Sequence, residues 1–184
     1  MYIQLLTPLN FLRIRFKGKF VYLCGVPAAV ASIASGSYVL WGDEIPLLGD
    51  NGLVEALVRL LPILIGFYIA ALAAVATMTQ ENLDQRLKGQ DAILERKLDG
   101  GVEQVELTRR QFLCFLFGYL AFMSIFLYFA GVAAPLVAHL YAAMPFLDAT
   151  YPFLALFLYL LLYSNLFTTT LFGLHYLTDR IHRN

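Results

Sequence analysis

The sequence predicts an all-α integral membrane protein, a bundle of four transmembrane helices with a cytoplasmic helical hairpin extension between spans two and three. Three observations predict this class. The 184 residues are 60% hydrophobic and only 14% charged, whereas soluble domains carry about 25% charged residues. The 13 basic residues cancel the 13 acidic ones, and such an apolar chain without net charge would precipitate in water. Four apolar runs are each long enough to cross a bilayer core of about 30 Å as a helix.

The first 19 residues form a basic N-terminal segment. Thr7-Pro8 is typical of a helix start, because Thr caps a helix and Pro fits its first position. Apolar residues follow at helical spacing among basic ones, which predicts a short helix lying on the inner membrane surface. A basic tail without fixed structure is the alternative. The apolar residues are Leu9, Leu12 and Phe16.

The four predicted spans belong to one membrane domain that covers residues 1–184. They are residues 20–41, 58–78, 112–140 and 152–177. Strands of a membrane barrel are disfavoured because they would alternate apolar and polar residues. The first span is longer than the core of a cleavable signal peptide, so we interpret it as an uncleaved anchor.

Loop charges predict the orientation. Arg59 is the one basic residue on the side of the loops 42–57 and 141–151, and the other 12 of the 13 Lys and Arg lie on the opposite side. Cytoplasmic loops attract Lys and Arg, so both termini and the loop 79–111 are predicted to face the cytoplasm from a bacterial inner membrane. Six of these cations are expected at the membrane surface: Arg13, Arg15, Lys17, Lys19, Arg109 and Arg110.

The loop 79–111 is the largest polar region. Its leucine spacing predicts that span two continues as a helix to about Asp99, where Gly100-Gly101 ends it. A capping box from Thr108 to Gln111 then predicts the start of span three. The leucine stripe either binds a protein partner or packs within the subunit. The candidate partner contacts are Leu87, Leu94, Arg96, Lys97 and Leu98.

Small and polar residues mark faces of three spans. Small residues recur at i, i+4, i+7 and i+11 in spans one and two, which predicts close helix packing between these spans or between subunits of a homo-oligomer. They are Gly25, Ala29, Ser32 and Gly36 in span one and Gly66, Ala70, Ala73 and Thr77 in span two. The polar face of span four predicts a hydrogen-bonded helix interface or, alternatively, the lining of a polar cavity in an oligomer. It comprises Ser164, Asn165, Thr168 and Thr169.

The sequence lacks the motifs that are typical of several classes of function. No span contains Asp, Glu or Lys, which argues against a proton relay or a cation-coupled transporter. There is no H-E-x-x-H, G-x-S-x-G, P-loop or dinucleotide motif, so we expect no catalytic residues and no enzyme. Cys24 and Cys114 have no Cys or His neighbours in sequence, so neither a metal nor a cofactor is expected. The near-neutral loop 79–111 argues against direct nucleic-acid binding.

A resemblance covers nearly the whole chain. It rests on the length, four spans with both termini inside, the basic N-terminal segment, the charged loop and the run ELTRRQFLCFLFGYLAF from Glu106 to Phe122. In these features the chain resembles KwaA, the membrane subunit family of the bacterial Kiwa antiphage defence system. The resemblance implies an oligomeric inner-membrane sensor without catalysis, which detects phage attack at the envelope and works with a cytoplasmic DNA-binding subunit, KwaB. It assigns no role to single residues.

The residues themselves favour a non-enzymatic oligomeric membrane sensor or anchor. It would couple an envelope event to a cytosolic protein partner, because every polar region of any size is predicted to face the cytoplasm. The alternative is a small oligomeric channel or membrane-permeabilising effector lined by the polar face of span four.

Overall fold

Four helices are long and apolar enough to cross a membrane in the computed structural model, which confirms the predicted four-span bundle. The structure describes residues 7–15, 18–41, 52–79, 84, 93–98, 101–142 and 150–180. The helices are α1 (Val26–Trp41), α2 (Leu53–Thr77), α3 (Arg109–Ala142) and α4 (Thr150–Arg180). A π-helical turn, Val21–Gly25, leads into α1.

Helix α2 begins before its predicted start at residue 58. Its first turns carry Glu55 and Arg59, whose carboxylate and guanidinium are 2.6 Å apart. A charged pair at i, i+4 can extend a helix beyond its apolar run because both side chains stay at the surface. The acidic member also suits the positive end of the helix dipole. The helix therefore begins before the apolar run that predicted it.

Helix α3 is the centre of the bundle. Within its apolar stretch 56% of the residues are buried, against 17% in α2. Helices α2 and α4 both pack on α3, and α1 packs on α4. The buried stripe of α2 has large side chains seven residues apart, Leu61, Tyr68 and Val75, so each lies on the same face of the helix.

The small residues of spans one and two do not form an internal seam between these spans. A Cβ atom added to Gly36 or Gly66 would have no neighbouring atom within 4 Å. Spans one and two instead pack on the large side chains of α4 and α3, where more atoms come into van der Waals contact. Contact between subunits, the second interpretation, stays a prediction. Gly36 is half-buried, and the exposed members are Gly25, Ala29, Ser32, Gly66, Ala70, Ala73 and Thr77.

The segment before α3 contains strands where a helical hairpin extension was predicted. Strands β2 (Ile93–Leu98) and β3 (Gly101–Glu106) pair antiparallel, and the two-residue strand β1 (Ile14–Arg15) pairs with the other edge of β2. The sheet order is β1-β2-β3. The prediction of a helix continuing to Asp99 is therefore wrong for the residues of β2.

The reason for this difference lies in the residues between the strands. The register pairs Leu98 with Gly101, and the sequence between them is Asp-Gly. This dipeptide is typical of β-hairpin sequences, and β-branched residues such as Ile93 favour strands. The leucine spacing that suggested a helix is a weaker signal over so short a segment.

The N-terminal segment is helical from Thr7 and packs against the bundle. Its 3-10 helix, Thr7–Arg13, contacts α3. Phe11 and Ile14 are fully buried. The Phe11 ring centroid lies 5.2 Å from that of Tyr119 and 6.0 Å from that of Phe112. The position of this helix at the membrane surface stays a prediction. We call the end of the bundle that carries this segment and the sheet the basic side.

Candidate functional site

Pro27 shapes the entrance to the first span. Proline has no N–H, so the carbonyl four residues earlier, that of Leu23, has no α-helical donor. In the π-turn the Val26 N–H donates to the Val21 carbonyl, and the Tyr22 carbonyl therefore also loses its ordinary donor. Two backbone acceptors inside a membrane span thus lack their ordinary α-helical donors and can accept hydrogen bonds from another helix.

The polar face of α4 supplies these donors. The Asn165 side-chain amide donates to the Leu23 carbonyl at 2.6 Å. The Thr168 hydroxyl lies 3.2 Å from the Tyr22 carbonyl and 2.9 Å from the Ser164 carbonyl, so its one proton is shared between α1 and its own helix. The hydrogen bonds compensate for the proline in α1.

Helix α3 contributes a third side chain to this set of hydrogen bonds. The Tyr119 hydroxyl donates to the Asn165 side-chain oxygen at 2.7 Å, and both residues are buried. We call Tyr119, Asn165, Thr168 and the two carbonyls of the π-turn the polar node. It joins α1, α3 and α4 within one chain. Asn165 thus lies in a hydrogen-bonded helix interface, the first of the two interpretations of this face.

The other predicted polar residues of α4 lie beside the node. Ser164 is half-buried, and Thr169 is buried with no hydrogen-bond partner for its hydroxyl among the described residues. Thr170 makes a second interhelical contact. Its proton is donated to the Leu166 carbonyl at 2.7 Å, so Tyr68 of α2 is the donor in the 2.5 Å contact between the two hydroxyl oxygens.

The polar node is continuous with the N-terminal segment. The Phe11 ring stacks on the Tyr119 ring at an interplanar angle of 29°. Lys19 donates to the carbonyl of Leu12 and, at 2.8 Å, to that of Ile14, the first residue of β1. Gly18 has a φ of 83°, which lets the chain turn between β1 and the first span. Packed side chains and backbone pairs thus run from the node to the sheet.

Arg110 ties the start of α3 to the end of α2. Its guanidinium binds both carboxylate oxygens of Asp84, at 2.7 and 2.9 Å. It also donates to the carbonyl of Val75 at 3.2 Å, in the last turns of α2 where carbonyls lack helical donors. The capping box ahead of it is confirmed, because the backbone N–H groups and side-chain oxygens of Thr108 and Gln111 pair reciprocally at 3.1 and 3.3 Å.

Removing the Arg110 guanidinium is expected to raise the pKa of the Asp84 carboxyl. Hydrogen bonding to Arg110 lowers the pKa of the Asp84 carboxyl below its ordinary value of 3.8. The ion pair is therefore complete at neutral pH, and its contribution to stability is lost as the pH falls through the lowered pKa. In Arg110→Gln the Asp84 pKa should rise toward 3.8, as measured by NMR titration of the side-chain carbonyl carbon. An unchanged pKa would show that the contact is absent in solution.

The structure describes the remaining predicted site residues only in part. Arg13 is exposed, and Arg109 is half-buried at the start of α3. Lys17 and Leu87 lie outside the described residues, as does the side chain of Arg15. For four predicted partner contacts the structure describes the backbone position alone, in β2: Leu94, Arg96, Lys97 and Leu98.

The described residues form no candidate metal centre. They contain no group of three or more His, Cys, Asp or Glu that could hold a metal ion. Both cysteines are free thiols. Comparisons with protein-family models, curated proteins and solved structures found no match.

Sequence reasoning missed the partners of Asn165. Tyr119 and the Leu23 carbonyl belong to other spans, and nothing local connects them to α4. Pro27 was the available signal, because a proline inside a span identifies the carbonyl four residues earlier as an acceptor that needs a donor. The stacking of Phe11 on Tyr119 has no comparable signal in the sequence.

Proposed function

We propose that this chain is a non-enzymatic membrane subunit that couples rearrangements of its spans to a protein partner bound at its sheet. One observation carries the proposal. The polar node, the Phe11–Tyr119 stack and the β1–β2 pairing form a continuous path from the interior of the bundle to the sheet. Chains of packed side chains and hydrogen bonds such as this one can carry energetic coupling between two distant sites.

The positions of the three strands along the chain support this coupling. Strand β1 precedes the first span, whereas β2 and β3 lie between α2 and α3. A shift of α1 against α2 and α3 can therefore act on the β1–β2 pairing, because β1 is joined to the first span and β2 lies between α2 and α3. Rearrangement in the membrane would thereby change the surface offered to a partner.

The sheet also has a place for a partner. Among the described residues β3 is an edge strand, paired with β2 alone. An edge strand offers backbone donors and acceptors to which an extended segment of another protein can add. The excess of Lys and Arg in the loops on this side supports a cytoplasmic position, and the proposed partner is a cytosolic protein.

The resemblance to the Kiwa membrane subunits extends the proposal. It would make the chain a homo-oligomeric sensor in the bacterial inner membrane that responds to phage attack, with a KwaB-like protein as the partner. The exposed small-residue faces of α1 and α2 would then supply contacts between subunits. Nucleic acid would be bound by the partner and not by this chain.

Charge reversal in β2 tests the partner site. We expect Arg96→Glu or Lys97→Glu to reduce recovery of a soluble partner at least tenfold when the full-length chain is purified from its native host, before and after phage exposure. Consecutive residues of a strand belong to opposite faces of a sheet, so the two variants are made separately. Arg59→Glu, at the end of the bundle away from the sheet, is the matched control and should keep the partner. Equal recovery with all three variants would contradict the proposal.

A further inference from the structure

The first span is attached to the bundle differently from the other three. Among the described residues, the main apolar core contains Leu23 of the π-turn but no residue of α1. A second, smaller core lies between α1 and α4, and its buried members are Ala31, Leu156 and Leu160. Helix α1 packs mainly on α4. The position of the first span therefore depends mainly on one neighbouring helix.

The side chains that α1 buries are small. Pro27, Ala31 and Ser35 are buried and recur every four residues along one face. The Ser35 hydroxyl donates to the Ala31 carbonyl of its own helix at 2.7 Å, so its proton is not available to α4. Helix α2, by contrast, buries Leu61 and Tyr68. Small side chains interlock less deeply with a neighbouring helix than large ones do, so the face of α1 opposes sliding less than the face of α2.

The polar node fixes the register of the first span against α4. Asn165 and Thr168 bind the carbonyls of Leu23 and Tyr22 in the π-turn at 2.6 and 3.2 Å. A hydrogen bond weakens steeply with distance and misalignment, whereas apolar contact with a small-residue face has no such directional requirement. Without these two bonds, the first span would be held on α4 chiefly by that face.

A groove beside the first span provides space for movement. Its volume is about 800 Å³, and its lining includes Cys24 and Ala28 of the first span, Tyr119 of α3, and Leu162 and Asn165 of α4. A close-packed core resists displacement because its side chains have no free volume to enter. Movement of the first span towards Tyr119 can use the groove and therefore need not displace the core of α3.

The chain just before the first span is bound to the sheet. The Lys19 side chain donates to the carbonyl of Ile14, the first residue of β1, at 2.8 Å. Between these two residues Gly18 has a φ of 83°, which lets the chain turn. A displacement of the first span thus reaches β1 through this turn.

We propose that the first span is a sliding element of the bundle and that the polar node is its latch. When Asn165 and Thr168 release the two carbonyls, the first span slides on α4 towards α3 and into the groove, and β1 moves with it. Sliding of packed helices is one of the general forms of conformational change in proteins. The inference rests on the proposed function for the purpose of this motion, whereas the motion itself requires no partner.

Distances between spin labels test this motion in the full-length chain, held in lipid nanodiscs and freed of its native cysteines. Labels at Ile33 of α1 and Phe126 of α3 occupy exposed positions. In Asn165→Leu their distance is expected to shorten by about 2–5 Å, within the range of helix shifts in conformational switches. Labels at Ile63 of α2, also exposed, and at Phe126 are the matched control and should keep their distance.

Filling the groove tests the direction of the motion. Adding Ala28→Phe to Asn165→Leu should restore the wild-type distance between Ile33 and Phe126, because the groove no longer admits the first span. An unchanged distance in Asn165→Leu, or equal changes in both label pairs, would overturn the proposal. If Asn165→Leu does not fold, Thr168→Val takes its place, because it removes the longer of the two bonds and should shorten the distance in part of the molecules.

Cys24 provides a second measurement without spin labels. It lines the groove and is exposed. In a Cys114→Ala background, Asn165→Leu should slow the alkylation of Cys24 by a maleimide several-fold, because the first span moves into the groove. An equal or faster rate would contradict the proposed direction. Both measurements are made without a partner, so their failure and a failure of partner recovery at the sheet are distinguishable.

Discussion

Replacing Asn165 with Leu is expected to lower the free energy of unfolding by about 2 kcal/mol. The change leaves the Tyr119 hydroxyl and the Leu23 carbonyl without the partners that they have at 2.7 and 2.6 Å. Single hydrogen bonds between membrane helices contribute about 0.6 kcal/mol on average, and a buried polar group left unpaired costs about 1–3 kcal/mol. Pro27 prevents α1 from satisfying this carbonyl with an ordinary helical bond. Reversible unfolding in mixed micelles, followed by circular dichroism, measures the difference.

Thr169→Val is the matched control for this experiment. The Thr169 side chain is buried beside the node, but its hydroxyl has no partner among the described residues. A methyl group in its place should leave the stability unchanged or slightly raised. Tyr119→Phe should cost about 1 kcal/mol and should couple to Asn165→Leu in a double-mutant cycle. If both changes had the same effect as Thr169→Val, the polar node would contribute nothing to stability.

Gly131→Ala is expected to destabilise the bundle by about 1–3 kcal/mol, the usual cost of overpacking. A Cβ atom at this position of α3 would lie 2.2 Å from a Val58 methyl carbon of α2 and 2.8 Å from the Tyr159 hydroxyl of α4. Valine has a stiff χ1 in a helix and cannot swing away. Helix α2 must therefore move away from α3, and the Tyr159 side chain must shift. Thermal unfolding of the variant measures the cost.

Two other glycines provide the comparison. A Cβ atom on Gly66 would meet no atom within 4 Å, so Gly66→Ala should be neutral or stabilising because Ala is the better helix former. At Gly173 the nearest atom is a terminal methyl carbon of Leu116, at 2.8 Å. This side chain can change rotamer, so Gly173→Ala should cost less than Gly131→Ala. Equal stability of all three variants would contradict the close packing of α2 and α4 on α3.

These two predictions concern different parts of the same core. Gly131 lets α2 and α4 pack closely on α3 because it has no side chain. Asn165 instead ties α4 to α1 and α3 by hydrogen bonds. Lipid surrounds the bundle in the proposed setting, so close packing and hydrogen bonds replace the hydrophobic effect as the forces between helices.

The sequence predicted the local features of the fold correctly. Four spans and the capping box of Thr108 and Gln111 are present. Both depend on neighbours within a turn or on the hydropathy of one segment. The helix predicted between spans two and three is wrong for residues 93–98, because the antiparallel pairing of β2 with β3 overrides the leucine spacing. Asn165 was recognised as a residue that needs partners, but its partners were not predicted.

The sequence by itself determined how many times this chain crosses the membrane and where its charges lie, because the cost of placing a residue in lipid depends mainly on that residue. Only the tertiary structure decided that α1 packs on α4, that Phe11 stacks on Tyr119, and that Asn165 serves the carbonyl exposed by Pro27. These contacts join residues far apart in the chain, as between Leu23 and Asn165. Which of these contacts form depends on how all the spans pack against one another, because the side chains of several helices together determine each helix pair.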